Sequence, residues 1–176
     1  MCTTALILPG IGGSGPAHWQ SQWEVAHENF IRVHQRDWDA PVCNEWIENL
    51  ENAVARVDGD IVLVAHSLGC LLLSHWAAQT QRQVKGALLV APPDPAEAIF
   101  PKAATGFSPF PLKKFNFPSI LVASSNDSFG DLVFAKSCAT AWGSQFINAG
   151  AVGHINADSE LGLWSEGLDL YQKLAR

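Results

Sequence analysis

The stretch Ile61-Val62-Leu63-Val64-Ala65-His66-Ser67-Leu68-Gly69-Cys70-Leu71-Leu72-Leu73 is apolar on both sides of one polar dipeptide, His66-Ser67. Its first half is rich in β-branched residues and reads as a fully buried strand; its second half continues at helix-compatible spacing. Ser67 therefore stands at a strand-to-helix turn. This is the geometry of the G-x-S-x-G elbow, with Ala65 in the place of the first glycine. Small residues on either side let the chain turn sharply and hold the hydroxyl clear. The helix that follows directs its unpaired N–H groups and positive end at the same point, which favours a developing oxyanion. A serine in this position needs a base and a carboxylate from elsewhere in the chain.

Working outward, apolar runs recur between helical patterns. Thr4–Leu8 reads as a first strand, Phe30–Val33 as a less apolar strand nearer the sheet edge, Val84–Val90 as a fourth, Ser119–Ser124 as a fifth and Gln145–Asn148 as the last. Helices are expected over Ala17–Asn29, from Asn44 with Trp46, Ile47, Leu50, Val54 and Val57 as its apolar face, over Leu132–Trp142 closed by Gly143, and near Leu161–Leu174. Asp58-Gly59-Asp60 stops the second of these. Strands alternating with helices imply a parallel sheet with right-handed crossovers, covered on both faces. The segment from Ala96 to Pro118, with five phenylalanines among prolines, admits at most a short helix around residues 95–104. Its aromatics, Phe107 among them, are expected either to floor a pocket or to roof the core. The 176 residues fit one domain, 1–176, with no repeat or linker.

Composition narrows the function. At 48% hydrophobic and 16% charged residues the chain has the balance of an ordinary globular protein, and its formal charge of −6 comes without any basic run. Nucleic acid and anionic membrane are poor partners for such a surface. No apolar run reaches the roughly 18–20 residues a membrane helix needs, and no signal-peptide pattern opens the chain. Cys2, Cys43, Cys70 and Cys138 are scattered without a C-x-x-C pair, so neither a metal site nor a disulfide framework is expected, and reduced thiols point to the cytoplasm. The loop Pro9-Gly10-Ile11-Gly12-Gly13-Ser14-Gly15-Pro16 matches two positions of the dinucleotide fingerprint. Pro16 follows directly on Gly15, however, and no acidic residue ends the second strand, Phe30–Val33, so no nucleotide cofactor is expected.

Beyond Ser67, Asp127 and His154 each fall just after an expected strand end, in the order Ser…Asp…His. Parallel strands bring their carboxyl ends to one edge of the sheet, where distant residues meet. An imidazole near neutral pH accepts the serine proton, and the carboxylate orients the ring and stabilises the imidazolium. The backbone N–H of Ile11, with Gly12 its nearest competitor, and that of Leu68 are the expected oxyanion donors. Gly12, His18, Trp19 and Phe107 are candidates to line the substrate site. Asp94 is the reserve acid, while Asp131 and Asp158 read as residues at helix starts. His66 is expected to turn away from the nucleophile, into packing or an outer hydrogen bond, and His75 is expected to be structural.

Four segments carry a resemblance: Leu8-Pro9-Gly10-Ile11-Gly12-Gly13-Ser14-Gly15 with His18-Trp19, Ala65-His66-Ser67-Leu68-Gly69, Ala123-Ser124-Ser125-Asn126-Asp127, and Gly153-His154-Ile155-Asn156-Ala157. Together they span nearly the whole chain, and it resembles the serine hydrolases related to retinoblastoma-binding protein 9 and the bacterial YdeN proteins. The resemblance implies a compact α/β-hydrolase fold: three layers, α/β/α, around a mostly parallel six-stranded sheet, abridged by its first two strands and without a lid domain. It also implies the Ser67, Asp127 and His154 assignment. Ser128 departs from the proline expected in bacterial relatives. The expected activity is hydrolysis of a small acyl ester, or an amide or thioester, without metal or organic cofactor. The alternative is a non-catalytic protein-binding module on the same fold, although nothing in the sequence supports a protein partner.

Overall fold

The computed structural model describes residues 3–176; Cys2 lies outside them. Six strands form one sheet: β1 (Thr4–Leu8), β2 (Phe30–Arg32), β3 (Ile61–His66), β4 (Gly86–Val90), β5 (Ser119–Ala123) and β6 (Gln145–Asn148). Their order in space is β2-β1-β3-β4-β5-β6, and all five pairings are parallel. Five helices cover the sheet: α1 (Trp19–Ala26), α2 (Cys43–Ala55), α3 (Leu68–Gln79), α4 (Leu132–Trp142) and α5 (Ser165–Ala175).

Side chains alternate across the sheet because successive strand residues face opposite sides. Leu6, Leu8, Leu63, Ala65, Leu89 and Leu121 join α2, α3 and α4 in one core. Ala5, Ile7, Val62, Val64, Leu88 and Val90 join Trp19 and Trp23 of α1 and Tyr171 and Leu174 of α5 in the other. Such two-sided burial explains why the central strands read as continuous apolar runs. Strand β2 closes one edge and buries Phe30 while Ile31 is exposed, hence its weaker pattern.

Two expectations need correction. No helix forms between residues 95 and 104: three isolated turns stand there, closed by Glu97 N–H to Asp94 O, Phe100 N–H to Glu97 O and Ala104 N–H to Pro101 O. The last helix begins at Ser165 rather than near Leu161, because Glu160, Gly162 and Trp164 adopt left-handed backbone conformations that a helix cannot continue through. Asp131 does cap α4, accepting the Phe134 N–H at 2.7 Å. In the Pro/Phe-rich connection Phe107, Phe115 and Phe117 all roof the α2–α4 core.

The chain leaves β1 for β2 on one side and returns to place β3 on the other. In open α/β sheets this reversal of strand order opens a crevice at the carboxyl ends. The glycine-rich loop after β1 and Ser67 after β3 both stand there.

Candidate active site

Ser67 takes up φ +53° and ψ −125°, a conformation that costs a non-glycine residue on the order of 1–3 kcal/mol. Its neighbours hold it there. Ser67 N–H donates to Val90 O of β4 at 2.9 Å, and Ser67 O accepts Cys70 N–H at 2.8 Å. Two glycines make the turn possible by being small. A Cβ on Gly69 would lie 2.3 Å from Leu8 O, and one on Gly10 would lie 2.8 Å from Ser67 Cβ. Ala65, fully buried in the α2–α4 core, fits where the elbow pattern has glycine.

The Ser67 hydroxyl donates to His154 Nε2 at 2.9 Å, and His154 Nδ1–H donates to both Asp127 oxygens at 2.9 and 2.8 Å. The Asp127 carboxylate is almost wholly shielded, with 1% side-chain exposure, and also accepts Phe129 N–H at 2.9 Å. Loops after β5 and β6 bring acid and imidazole together, and short bonds stitch those loops to each other. Asn126 Oδ1 accepts Gly153 N–H at 2.7 Å, Ser124 Oγ accepts Val152 N–H at 3.0 Å, and Ser125 N–H reaches Gly150 O at 2.8 Å. Phe129 packs its ring 4.4 Å from that of His154.

In the glycine loop, Gly12 N–H is spent on Trp38 O at 2.9 Å and Gly13 N–H on Gly10 O at 3.2 Å. The N–H groups of Ile11 and Leu68 meet no acceptor among the described residues. Both residues line a cavity of about 260 Å³ with Gly12, His18, His66, Ser67 and His154; Pro93, Pro101, Phe129 and Asn156 also contribute to its wall. A serine hydroxyl, an imidazole and two unspent donors thus share one small chamber, with a buried carboxylate bonded to the imidazole. A profile of the serine hydrolase family matches residues 5–173. The chain belongs to the serine hydrolase family.

This serine hydrolase is similar to a YdeN-like hydrolase of Pectobacterium atrosepticum, with a TM-score of 0.88 and 28% identity over 99% of this chain and 91% of that one. The ydeN gene product of Bacillus subtilis aligns with a TM-score of 0.79 at 16% identity, over 99% and 98% of the two chains. A thermophilic esterase of Thermogutta terrifontis shares the fold at 15% identity, with a TM-score of 0.71 over 100% and 91%. Among curated protein sequences none matches the chain.

Two residues expected at the substrate site are elsewhere in this hydrolase. Trp19 is buried between Trp23 and Trp164, and its indole N–H donates to Ile155 O at 2.7 Å; it anchors the backbone beside His154 instead of lining the cavity. Phe107 is buried against Trp46 on the α2 side of the sheet. Asp94, the reserve acid, closes its own turn by accepting Ala96 N–H at 2.8 Å. His75 lies outside the cavity lining, its Nε2 3.3 Å from Phe107 O. His66 makes the outer bond expected of it, donating from Nε2 to His154 O at 2.9 Å, yet its ring also borders the cavity.

Arg32 and Glu24 escaped the sequence reading. The Arg32 guanidinium grips Glu24, Ser21 Oγ and the carbonyls of Gly13 and Ser14, fixing the loop that carries Ile11. A signal existed in a cation ending an edge strand, but its target lies 18–19 residues back in a loop. A wider groove of about 1040 Å³ lies across that loop, against Val25, Trp38 and Leu163. Its two serine hydroxyls donate to Gln20 Oε1 and Ser14 O rather than to an imidazole, and its two charges pair with each other.

Burial pushes the Cys43 and Cys138 thiols up to about 12 and that of Cys70 up as well. Thiols so protonated are poor nucleophiles. Among the described residues no three His, Cys, Asp or Glu side chains gather to hold a metal ion, and no helix is long and apolar enough to cross a membrane.

Proposed function

We propose that this serine hydrolase cleaves small acyl esters through an acyl-enzyme, with Ser67 as nucleophile, His154 as general base and then acid, and Asp127 as the group that orients and stabilises the imidazolium. The observation carrying this reading is the continuous Ser67–His154–Asp127 hydrogen-bond chain. His154 Nε2 takes the hydroxyl proton as Ser67 Oγ attacks the ester carbonyl. The N–H groups of Ile11 and Leu68 receive the negative charge on the carbonyl oxygen, where preorganised donors contribute most. Collapse expels the alcohol, protonated by His154. Water then repeats the sequence on the acyl-enzyme and frees the acid and Ser67.

The substrate scale follows from the chamber. About 260 Å³ falls below the roughly 300–1,000 Å³ of sites for drug-sized ligands. The long connection after β4 lends it only Pro93 and Pro101. A short acyl group reached from solvent fits that space, and esters are favoured over thioesters and amides. Three buried, unpaired thiols suit a reducing cytoplasm.

A fluorophosphonate probe is expected to label Ser67, and Ser67→Ala is expected to lose both labelling and p-nitrophenyl acetate hydrolysis. An unlabelled native protein, with Ser67→Ala turning over the ester as fast, overturns the assignment.

A further inference from the structure

His18 caps α1: its Nδ1 accepts Gln20 N–H at 3.1 Å. The accepting nitrogen carries the lone pair, so in the neutral ring the proton sits on Nε2. Burial first, then the charges of Arg32 and His154, lowers the His18 pKa to about 4, and the ring is neutral near pH 7. His18 is 4% exposed, and Nε2 is the one buried side-chain polar atom among the described residues without a hydrogen-bond partner. Buried donors are seldom left so, and an orphan of this kind calls for a partner that the protein itself does not supply.

The acceptor side of the same wall belongs to His66. Its ring meets that of His18 edge-on, with centroids 4.6 Å apart. Because Nε2–H is donated to His154 O, the lone pair is on Nδ1, which no donor among the described residues reaches. Desolvation holds this ring neutral too. Both imidazoles line the chamber of Ser67. A donor and an acceptor thus stand on adjacent rings in the wall of the chamber that holds Ser67.

We propose that His18 Nε2–H and His66 Nδ1 form a subsite for a substrate hydroxyl, so that the preferred esters carry a hydroxyl close to the scissile bond. A hydroxyl oxygen accepts from His18 while its proton is donated to His66, satisfying both with one atom. An ammonium offers His18 no acceptor, and a carboxylate offers His66 no proton. Among the described residues no lysine or arginine lines the cavity to receive a carboxylate either. A methyl group leaves both nitrogens unpaired. The hydroxyl belongs to the acyl chain in a hydroxyacyl ester, or to the alcohol in a partial ester of a polyol. This inference rests on Ser67 being the nucleophile.

Two ester pairs separate these sources: 4-nitrophenyl 3-hydroxybutanoate against 4-nitrophenyl butanoate, and glyceryl monobutanoate against propyl butanoate. In the native protein kcat/KM is expected to favour the hydroxylated member of one pair by about ten- to hundredfold, the range for pairing an otherwise orphaned buried group. His18→Asn keeps an acceptor for Gln20 N–H but no donor at the Nε2 position, and should bring the ratio within about twofold of one. His18→Gln, whose amide N–H reaches that position, should restore part of it. Each ratio is taken within one protein, so a general loss of activity cancels. Turnover with both ratios near one, or a preference surviving in His18→Asn, overturns the subsite alone. With no ester turned over, a labelled Ser67 also overturns the subsite alone, whereas an unlabelled Ser67 overturns the nucleophile assignment and the subsite with it.

Discussion

Acid should unfold this protein by way of His18. In the unfolded chain an imidazole takes up its proton below about pH 6.5; in the fold, burial and the nearby charges hold His18 at about 4. Between those values the unfolded state binds more protons, so stability is fully present above about pH 6.5 and declines as the pH falls toward 4. At about 1.4 kcal/mol per pKa unit, the loss from this one ring is about 2.5 kcal/mol at pH 4.5 and about 3.5 kcal/mol in the limit. That is a large share of the roughly 5–15 kcal/mol that holds a domain folded. His66, also held neutral, acts in the same direction. Urea unfolding followed by tryptophan fluorescence at pH 7.5 and pH 4.5 reads the effect; with a slope of about 2 kcal/mol per M, His18 accounts for about 1.3 M of the fall in midpoint. His18→Asn retains the cap, cannot titrate, and should lose correspondingly less between the two pH values. Equal losses in native protein and variant would refute the reasoning, because carboxylate protonation is common to both.

Three further outcomes are expected. Gly10→Ala places a Cβ 2.8 Å from Ser67 Cβ and 3.2 Å from its Oγ; displacement of the hydroxyl by a fraction of an ångström to about 1 Å should slow fluorophosphonate labelling by about 10²-fold, measured beside a melting curve showing a folded protein. Asp127→Asn keeps the packing but leaves His154 in the wrong tautomer, and kcat for p-nitrophenyl acetate should drop by about 10⁴-fold at neutral pH. Phe107→Ala empties a core position against Trp46 and should cost about 3–5 kcal/mol in urea unfolding. Its KM for short esters should stay put, and a raised KM there would return the aromatic to the substrate site.

Most of the sheet could be read in advance, because a strand buried on both faces is apolar at every position and short enough to be bounded by its turns. Ser67, Asp127 and His154 were legible for a topological reason: each follows a strand, and parallel strands deliver their ends to one edge. Trp19 and Phe107 were not. An aromatic in a core and an aromatic in a pocket look alike in one dimension, and Trp19 was decided by the carbonyl of Ile155, 136 residues away. The late start of α5 depends on Trp164 at φ +38°, a conformation no periodicity announces. That Ile11 keeps a free N–H where Gly12 does not depends on Trp38 O, which accepts the Gly12 N–H from 26 residues away. The pairing of His18 with His66 required the start of α1 to meet the end of β3, and spacing along the chain says nothing of that.

Strand β4 contributes no side chain to the wall of the cavity, yet it acts as a spacer. It stands with β5 between the strand that ends at Ser67 and the strand that precedes His154, a lateral gap of three strand spacings, or about 14 Å. Six residues carry the chain from Asn148 to His154, with a reach of about 20 Å when extended. The imidazole is thus cantilevered back across two strands, and the tie-bars that steady it, Trp19 to Ile155 O and His66 to His154 O, come from the far bank. One end of the span is built by β6 and the other by α1 and β3. The Ser67–His154–Asp127 hydrogen-bond chain therefore depends on the width of the sheet as much as on the three residues that form it.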